Sequence, residues 1–261
     1  MTWYARDINY DGISSMNFGL FLCNMNSGSS KNQNVSGNIK LHTDKTPLMN
    51  YNYLTGVENE GSLNFEMILG SEVPIDRLTL SSIQNWLIGR NEFKELCILQ
   101  DDMNHIIYNC IFTSCELITF ANVPYAIKIN GTTDSAYGRE REKTYTYNIN
   151  SNAIIKLMNV SHEQGYTYPK IEFTCNASNG YVSIINENNN NYETKIENLL
   201  SGETITMDSR TQVLTTSSAG LYRLGDFNKH WLELVPKMNK LIVSGNITEL
   251  KITYANIRKC L

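Results

Sequence analysis

The stretch that decides the fold is 74-PIDRLTLSSIQNWLIGRNEFKELCILQDDMNHIIYNCIFTSCELITFANVPY-125, in which one short helix precedes a series of strands. Ser81 and Ser82 carry side-chain oxygens that favour a helix start. Ile83, Trp86 and Leu87 then repeat at the i, i+3, i+4 spacing of one helical face, which predicts an amphipathic helix of about two turns. Since a helix this short is marginal in water, its apolar face must pack on the strands that follow.

The residues after this helix predict a hairpin. Gly89 permits the left-handed conformation that commonly ends a helix. Lys94–Leu99 has the composition of a strand, Gln100–Asn104 that of a polar turn, and His105–Phe112 that of the returning strand. We therefore expect a helix docked on a hairpin.

Short β-rich runs continue along the rest of the chain. The first half adds Phe18–Leu22, Asn64–Leu69 and Tyr125–Ile129, and the second half adds Ala153–Leu157, Lys170–Thr174, Tyr181–Ile185, Thr204–Met207, Thr211–Thr215, Trp231–Val235, Lys240–Ser244 and Glu249–Tyr254. The spacing in the second half is typical of an antiparallel β-sandwich. The sequence therefore predicts a mainly β protein with two domains, 1–142 and 143–261.

Two polar stretches predict loops. Residues 24–38 contain Ser27–Ser30 and Ser36–Gly37 and lack the apolar spacing of a helix or strand, which predicts a long, mobile loop. Residues 186–191, Asn-Glu-Asn-Asn-Asn-Asn, have the composition of a short loop tip without an apolar anchor.

Composition limits the classes of function. Charged residues make up 18% of the 261 residues, against about 25% in a typical soluble domain, and 15 tyrosines add to a polar surface of low charge. The formal net charge is −4, which argues against a surface that grips nucleic acid. The first residues lack the basic and apolar regions of a secretory signal, and no apolar run approaches the ~20 residues of a membrane span. We therefore expect synthesis in a cytoplasm, a soluble product and no membrane insertion.

The search for catalytic and metal-binding motifs gives no candidate. The six cysteines form no CxxC pair, the four histidines lie far apart in sequence, and nucleophile-elbow, HExxH and phosphate-loop motifs are absent. Asp101 and Asp102 are explained by their place in a turn. If Cys110 and Cys115 share a strand, their odd spacing predicts opposite faces and no disulfide between them. We expect no metal, no cofactor and no enzymatic activity.

Several motifs of the first half together resemble the distal tail protein family of long-tailed, non-contractile bacteriophages. The helix residues Ile83–Leu87, the Asp101–Asp102 hairpin turn and the closing Asp134–Tyr137 occur in that family's order. The opening Asp11–Leu20 is similar to its amino-terminal signature, a short strand, a Ser-Ser turn and a Phe-Gly-Leu strand. In the second half, Tyr168–Phe173 and Trp231–Pro236 with the following asparagine look like strands of its galectin-like domain.

The resemblance implies an assembly protein of the virion tail tip. The amino-terminal belt domain of that family closes six copies into a ring, and the galectin-like domain projects outward. The ring joins the tail tube protein above to the tail-associated hub or fibre protein below, and a receptor-binding protein can attach at its periphery. Phage DNA passes through the lumen without sequence-specific binding, so we expect a polar or acidic lining without Lys and Arg clusters.

Some family members grip the receptor-binding protein with a long arm inserted in the galectin-like domain. The candidate loops here, 159–167 and 186–191, are too short for such an arm. We therefore expect the hub or fibre proteins to make the host contact, and we expect removal of residues 186–191 to leave ring assembly intact.

The galectin-like resemblance also implies a candidate sugar site. Trp231 would supply a stacking ring, with Arg223, Asn228 and Glu233 as polar neighbours. The alternative explanation is structural, with Trp231 at the end of a strand as a core or rim residue. A carbohydrate-binding module acting in host cell-surface attachment is therefore the alternative function, although the chain does not reproduce a galactoside signature in order. A glycan-cleaving enzyme would need a convergent acid pair, which the sequence does not show.

Overall fold

The computed structural model describes residues 6–23, 39–48, 50–59, 61–100, 104–149, 152–163 and 165–259. Internal contacts divide the chain into two units. The first unit extends to Glu140 and is rejoined by the chain at Arg258, and the second unit is Arg141–Ile257. The division into independent domains at 1–142 and 143–261 remains a prediction.

The structure is mainly β, as the sequence predicts, and its described residues contain one α-helix. The first unit contains β1 (Asp7–Tyr10), β2 (Ile13–Ser14), β3 (Leu20–Cys23), β4 (Ile39–Asp44), β5 (Tyr53–Asn59), β6 (Asn64–Ser71), α1 (Arg77–Leu87), β7 (Lys94–Leu99), β8 (Ile106–Phe120), β9 (Val123–Thr133) and β10 (Gly138–Glu140). The second unit contains β11 (Lys143–Asn148), β12 (Asn152–Asn159), β13 (Lys170–Cys175), β14 (Gly180–Asn186), β15 (Tyr192–Leu199), β16 (Thr204–Asp208), β17 (Val213–Thr216), β18 (Lys237–Gly245) and β19 (Ile247–Tyr254), and β20 (Ile257–Arg258) follows. Short 3₁₀ helices occupy Ser15–Phe18 and Arg223–Gly225.

A nine-stranded sheet is the framework of the first unit's described residues. Its order is β2-β1-β7-β8-β9-β6-β3, with β10 paired to β8 and β20 paired to β10. Helix α1 packs on this sheet, where Ile83, Trp86 and Leu87 are buried among sheet residues such as Tyr10 and Phe112. The predicted apolar face of the helix and its docking on strands are confirmed.

The helix start differs from the prediction. Helix α1 begins at Arg77, one turn before the serine pair, and Asp76 is its N-cap. One carboxylate oxygen of Asp76 accepts hydrogen bonds from the Leu78 and Thr79 backbone N–H groups, both at 2.8 Å. Ser82 lies inside the helix and donates its hydroxyl to the Leu78 carbonyl at 3.0 Å. The carboxylate is the stronger cap because it also neutralises the positive end of the helix.

Strand β8 is longer than predicted and contains a β-bulge. Its register with β9 shifts between Phe112 and Ser114. A bulge adds one residue to one strand and so reverses the alternation of faces beyond it. Cys110 and Cys115 therefore both pack against the first unit's core, and the prediction of opposite faces is wrong. Both are free thiols.

Strands β4 and β5 form a separate two-stranded sheet. The register pairs Leu41 with Val57 and Thr43 with Leu54, with an irregularity between these pairs. Residues two apart on a strand share a face, so Leu41, Leu54 and Val57 lie on one face of the hairpin. These three side chains are 60%, 60% and 52% exposed, and none belongs to the unit's core. The predicted loop 24–38 that precedes the hairpin, and the Asp101–Asp102 turn, lie outside the described residues.

The second unit is a sandwich of two antiparallel sheets. One sheet has the order β11-β19-β13-β16-β17 and the other β12-β18-β14-β15. Inward side chains of both sheets join one core, among them Ile171, Phe173, Ile205, Leu250 and Ile252 from the first sheet, and Ile155, Leu157, Ile184, Leu241 and Val243 from the second. The alternating strands of the second half thus produce the layered architecture that their spacing predicts.

The segment Trp231–Val235 is extended but is not a strand of either sheet. Its Leu232 and Leu234 are fully buried, as alternation predicts, and Leu234 makes one isolated antiparallel bridge to Thr167. The strand prediction is wrong, because within the described residues the segment pairs with other backbone only through this bridge. Side chains of three buried asparagines pair with further backbone groups of the segment.

These asparagines are Asn159, Asn186 and Asn239, which are 1%, 0% and 0% exposed. Asn239 accepts from the Val235 N–H at 2.8 Å and donates to the Val235 carbonyl at 2.8 Å. Asn186 donates to the Glu233 carbonyl at 2.8 Å, and Asn159 donates to the Leu234 carbonyl at 3.2 Å. Buried amides that satisfy backbone groups in this way hold the segment in one conformation.

The 186–191 segment, predicted as a loop tip without an anchor, is held by buried side chains and by hydrogen bonds to the rest of the second unit. Asn186 ends β14 inside the core, and Asn189 is 7% exposed. Asn188 accepts a hydrogen bond from the Lys240 N–H at 2.8 Å. Removal of all six residues would therefore delete part of the second unit's buried network.

Candidate functional site

The four residues of the candidate sugar site are placed in different environments. Arg223 opens a 3₁₀ helix, and its guanidinium lies inside the second unit. It donates to both carboxylate oxygens of Glu203, at 2.7 and 2.8 Å, and to Asp226 at 3.1 Å. The side chains of Arg223 and Glu203 are 8% and 0% exposed, so this guanidinium is committed to an internal ion pair.

The electrostatics of the Arg223 site favour the charged pair. Burial alone would raise the pKa of Glu203, but hydrogen bonds from Arg223, the Leu200 N–H and the Thr216 hydroxyl more than offset it. Together they hold the pKa of Glu203 at about 2, well below its usual value of 4.5. Such a bidentate pair fixes the segment that leads toward residue 231.

Asn228, although exposed, and the partly buried Trp231 also make contacts within the second unit. Asn228 accepts from the Lys195 N–H at 3.2 Å and donates to the Glu193 carbonyl at 2.8 Å. The Trp231 ring meets Phe227 edge to face at 4.9 Å and packs against the second unit's core, with part of its surface exposed. Neither residue presents its whole polar or aromatic surface to a ligand.

Glu233 faces a group of aromatic side chains that the sequence analysis did not select. The bridge between Thr167 and Leu234 places Tyr168 directly opposite Glu233. Tyr166 lies on the same face as Tyr168, with the two ring centroids 6.5 Å apart. Their alternation about Thr167 was visible in the sequence, but only the bridge shows which residue they oppose.

Two further contacts complete the surroundings of Glu233. The Asn189 amide donates to one Glu233 carboxylate oxygen at 3.0 Å. The Tyr192 ring stacks on His230 at 4.8 Å with an interplanar angle of 21°. Burial, followed by the charge of Glu233, raises the pKa of both Tyr168 and Tyr192. We call Tyr166, Tyr168, Tyr192 and Glu233 the tyrosine surface.

Other side-chain chemistry in the described residues is inert or dispersed. No group of three or more His, Cys, Asp or Glu residues there could hold a metal ion. Burial raises the pKa of Cys110 to about 12 and raises the pKa of Cys115, so neither thiol has thiolate character near neutral pH. Within the same residues, no helix combines the length and apolar character needed to cross a membrane.

Solved structures from phage tail tips share this fold. The Dit protein of phage SPP1, described as a paradigm of the hub adsorption apparatus in phages that infect Gram-positive bacteria, aligns with a TM-score of 0.69 at 11% identity over 97% of this chain and 99% of that one. A chain of the phage p2 baseplate in its activated conformation with Ca aligns with a TM-score of 0.53 at 8% identity, covering 99% of this chain and 100% of that one. A second p2 baseplate structure, with Sr, gives the same TM-score and identity over 98% of both chains. At these identities the likeness shows the fold.

Sequence comparison gives the family. No curated protein sequence matches the chain. A family model described as the phage tail protein N-terminal domain matches residues 3–135, and one described as the phage tail C-terminal domain matches residues 137–254. The first model alone covers more than half of the chain, and the two leave few residues unmatched. The chain therefore belongs to the phage tail protein family that these two domains define.

Proposed function

We propose that this chain is a distal tail protein, a structural component of the virion tail tip whose six copies close into a ring. The ring joins the tail tube protein to a tail-associated hub or fibre protein, and phage DNA passes through its lumen. The observation that carries the proposal is the β4–β5 hairpin, a separate two-stranded sheet with an exposed apolar face, in a fold shared with hub and baseplate proteins.

The hairpin has few means of support within its own unit. An isolated two-stranded hairpin is marginally stable at best in water. Here the exposed face of Leu41, Leu54 and Val57 is matched on the other face by Lys40 and Glu58, whose 3.8 Å ion pair is solvent-exposed and contributes little. Burial of the apolar face on a second subunit would take these side chains out of water and so stabilise the hairpin.

A closed ring needs a contact of this type. In a cyclic assembly with more than two members, one patch of each subunit meets a different patch of the next. A two-stranded hairpin outside the main sheet is suited to this task, because its strand edges can pair with a neighbouring subunit and its apolar face can cover that subunit's surface. The hairpin is therefore the proposed donor side of the ring contact.

The test is the mass and shape of the full-length protein at high concentration, measured by light scattering and negative-stain microscopy on one sample. We expect six-fold rings for the unaltered protein. The double variant Leu41→Asp/Leu54→Asp should yield monomers with an unchanged circular dichroism spectrum, and the control Lys40→Ser, on the opposite face, should still form rings. Rings from the double variant would exclude the hairpin as the contact, and a monomer that persists even with purified tail tube protein would contradict ring formation.

The remaining parts of the proposal follow from the same role. The protein is synthesised in the bacterial host cytoplasm and resides at the tail tip, with its partners being further copies of itself, the tail tube protein and the hub or fibre protein. It acts by geometry and not by catalysis. The first unit forms the belt and the second unit is a galectin-like domain, with the domain boundary near residue 142 and a receptor-binding protein able to attach at the periphery of the ring.

The alternative function, a carbohydrate-binding module for host cell-surface attachment, has narrower support. Of its four expected residues, Arg223 and Asn228 are engaged within the fold, and Trp231 packs against Phe227. Glu233 alone lies beside exposed aromatic rings. The chemistry of that surface favours a different ligand class.

A further inference from the structure

The tyrosine surface combines exposed rings with a carboxylate that lacks a cationic partner. Tyr166 and Tyr168 are 45% and 43% exposed, and Tyr192 is half-buried. Among the described residues, Glu233 forms no ion pair with Lys, Arg or His, and its side chain accepts one hydrogen bond, from the neutral amide of Asn189. Lys240 pairs with Glu187 at 2.7 Å, and His230, which stacks on Tyr192, has its Nδ1 at 3.2 Å from the Glu193 carbonyl. The Glu233 carboxylate therefore places a negative charge beside the exposed Tyr166 and Tyr168 rings.

The backbone beneath this surface is fixed before any ligand arrives. Glu233 belongs to the segment held by Asn186 and Asn239, and its own carbonyl accepts the Asn186 amide. Tyr192 begins β15, and its N–H donates to the Asn189 carbonyl at 2.8 Å. A site whose residues are already ordered loses less conformational entropy on binding.

We propose that the tyrosine surface binds a quaternary ammonium group of the choline type. The faces of tyrosine rings carry negative charge density that attracts an organic cation, and a carboxylate among them adds a direct Coulomb attraction. The same charge of Glu233 that acts on the Tyr168 and Tyr192 phenols would act on the bound cation. The inference concerns the second unit and does not depend on ring formation.

The hydrogen-bonding capacity of the site selects the kind of ligand. A primary ammonium has three N–H donors to satisfy, whereas a quaternary ammonium has none. Asn189 already occupies one oxygen of Glu233. A neutral sugar would need polar groups for several hydroxyls, yet Arg223 and Asn228 are engaged within the fold. A quaternary ammonium can place its methyl groups on the tyrosine rings and its charge near Glu233, and it needs no hydrogen-bond acceptors.

The test titrates choline chloride into the full-length protein and follows the tyrosine ring protons by NMR. The matched probe is 3,3-dimethylbutan-1-ol, which has the shape of choline but no charge, and ethanolamine is the primary ammonium. We expect millimolar binding of choline, with the neutral isostere weaker by at least about tenfold. Ethanolamine should also bind more weakly than choline.

Variants locate the site. Glu233→Gln should weaken choline binding by about tenfold and Tyr168→Leu by about threefold, whereas Tyr168→Phe, which keeps the ring, should bind as before. Glu172→Gln, which alters a carboxylate on β13, is the control and should bind choline normally. Tyr168→Leu keeps the test decisive if Glu233→Gln disturbs folding, because this exposed ring lies outside the core.

Three results would overturn the proposal. One is the absence of any tyrosine shift up to about 50 mM choline, a concentration that would reveal even weak binding. Another is equal affinity for choline and its neutral isostere, which would show that charge plays no part. The third is unchanged choline affinity in both Glu233→Gln and Tyr168→Leu.

Discussion

The β4–β5 hairpin and the segment Trp231–Val235 are both extended chain outside the main sheets, yet they are held in opposite ways. The hairpin satisfies its backbone by pairing with itself and leaves an apolar face in solvent. The segment buries its apolar side chains and has its backbone satisfied by asparagine amides. An element of the first kind leaves an apolar surface that a partner can cover, whereas one of the second kind has its backbone and apolar groups satisfied and can hold a side chain in a fixed place.

The largest expected effect comes from removing the asparagine network. Asn239→Ala should lower the free energy of unfolding of the second unit by about 3 kcal/mol, because it leaves the Val235 N–H and one N–H of the Asn186 amide without an acceptor and removes one of the two amide donors to the Val235 carbonyl. Urea unfolding, followed by tryptophan fluorescence, measures the change. Asn152→Ala, at an exposed strand start, is the control and should alter the free energy by less than about 0.5 kcal/mol. If Asn239→Ala and Asn152→Ala lowered the free energy of unfolding equally, the asparagine network would not be what holds the segment Trp231–Val235.

A loss of unfolding free energy of similar size is expected in acid, because acid protonates Glu203 and breaks its buried ion pair with Arg223. The pKa of Glu203 is about 2 in the folded protein, below its usual 4.5, so its contribution to stability is complete above pH 4.5 and is lost as the pH falls toward 2. The contribution is about 3 kcal/mol. The measurement is the unfolding free energy between pH 5 and pH 3, where the unaltered protein should lose stability.

A double variant isolates that contribution. Glu203→Gln/Arg223→Met removes both charges, so no buried charge is left alone, and should flatten the stability profile over the same pH range. Glu172→Gln, which alters an exposed pair with Lys251, should retain the profile of the unaltered protein. An unchanged slope in the double variant would show that other groups cause the acid sensitivity.

The smallest expected effect is on the monomer when the hairpin is altered. Leu41→Asp should change the free energy of unfolding of a dilute, monomeric sample by less than about 0.5 kcal/mol, because Leu41 is 60% exposed and packs on no core. Thermal unfolding by circular dichroism at low concentration checks this. A loss of 2 kcal/mol or more, of the size found for core residues, would show that the hairpin docks on its own subunit.

Sequence periodicity correctly predicted elements that are held by an apolar face packing on neighbouring strands. The face of Ile83, Trp86 and Leu87 is buried as the i, i+3, i+4 pattern requires. The helix start was misplaced because the first turn, Arg77–Leu80, alternates polar and apolar residues, while the serine pair directly precedes the clearest apolar repeat. Strand β15 was missed because it lies at a sheet edge, where residues such as Lys195 and Glu197 pair with each other in solvent.

The surroundings of the candidate site residues could not be predicted, because they depend on contacts between residues far apart in the sequence. The alternation of Leu232 and Leu234 is the same in a strand and in a segment held by side chains, so the sequence predicted a strand. Glu233 was selected from the resemblance, but its neighbours Tyr168 and Tyr192 lie 65 and 41 positions earlier in the chain. Arg223 was selected as a polar neighbour of Trp231, and its burial was missed because its partner Glu203 lies 20 residues away.

The return of the chain to the first unit has a consequence for how such proteins diversify. Glu140, where the first unit ends, and Arg258, where it resumes, form an ion pair with each other, and β20 pairs with β10. The points of departure and return are therefore neighbours on one sheet. The second unit is therefore an insertion between two neighbouring positions of the first unit, and recombination at these positions could exchange it while the sheet of the first unit stays continuous.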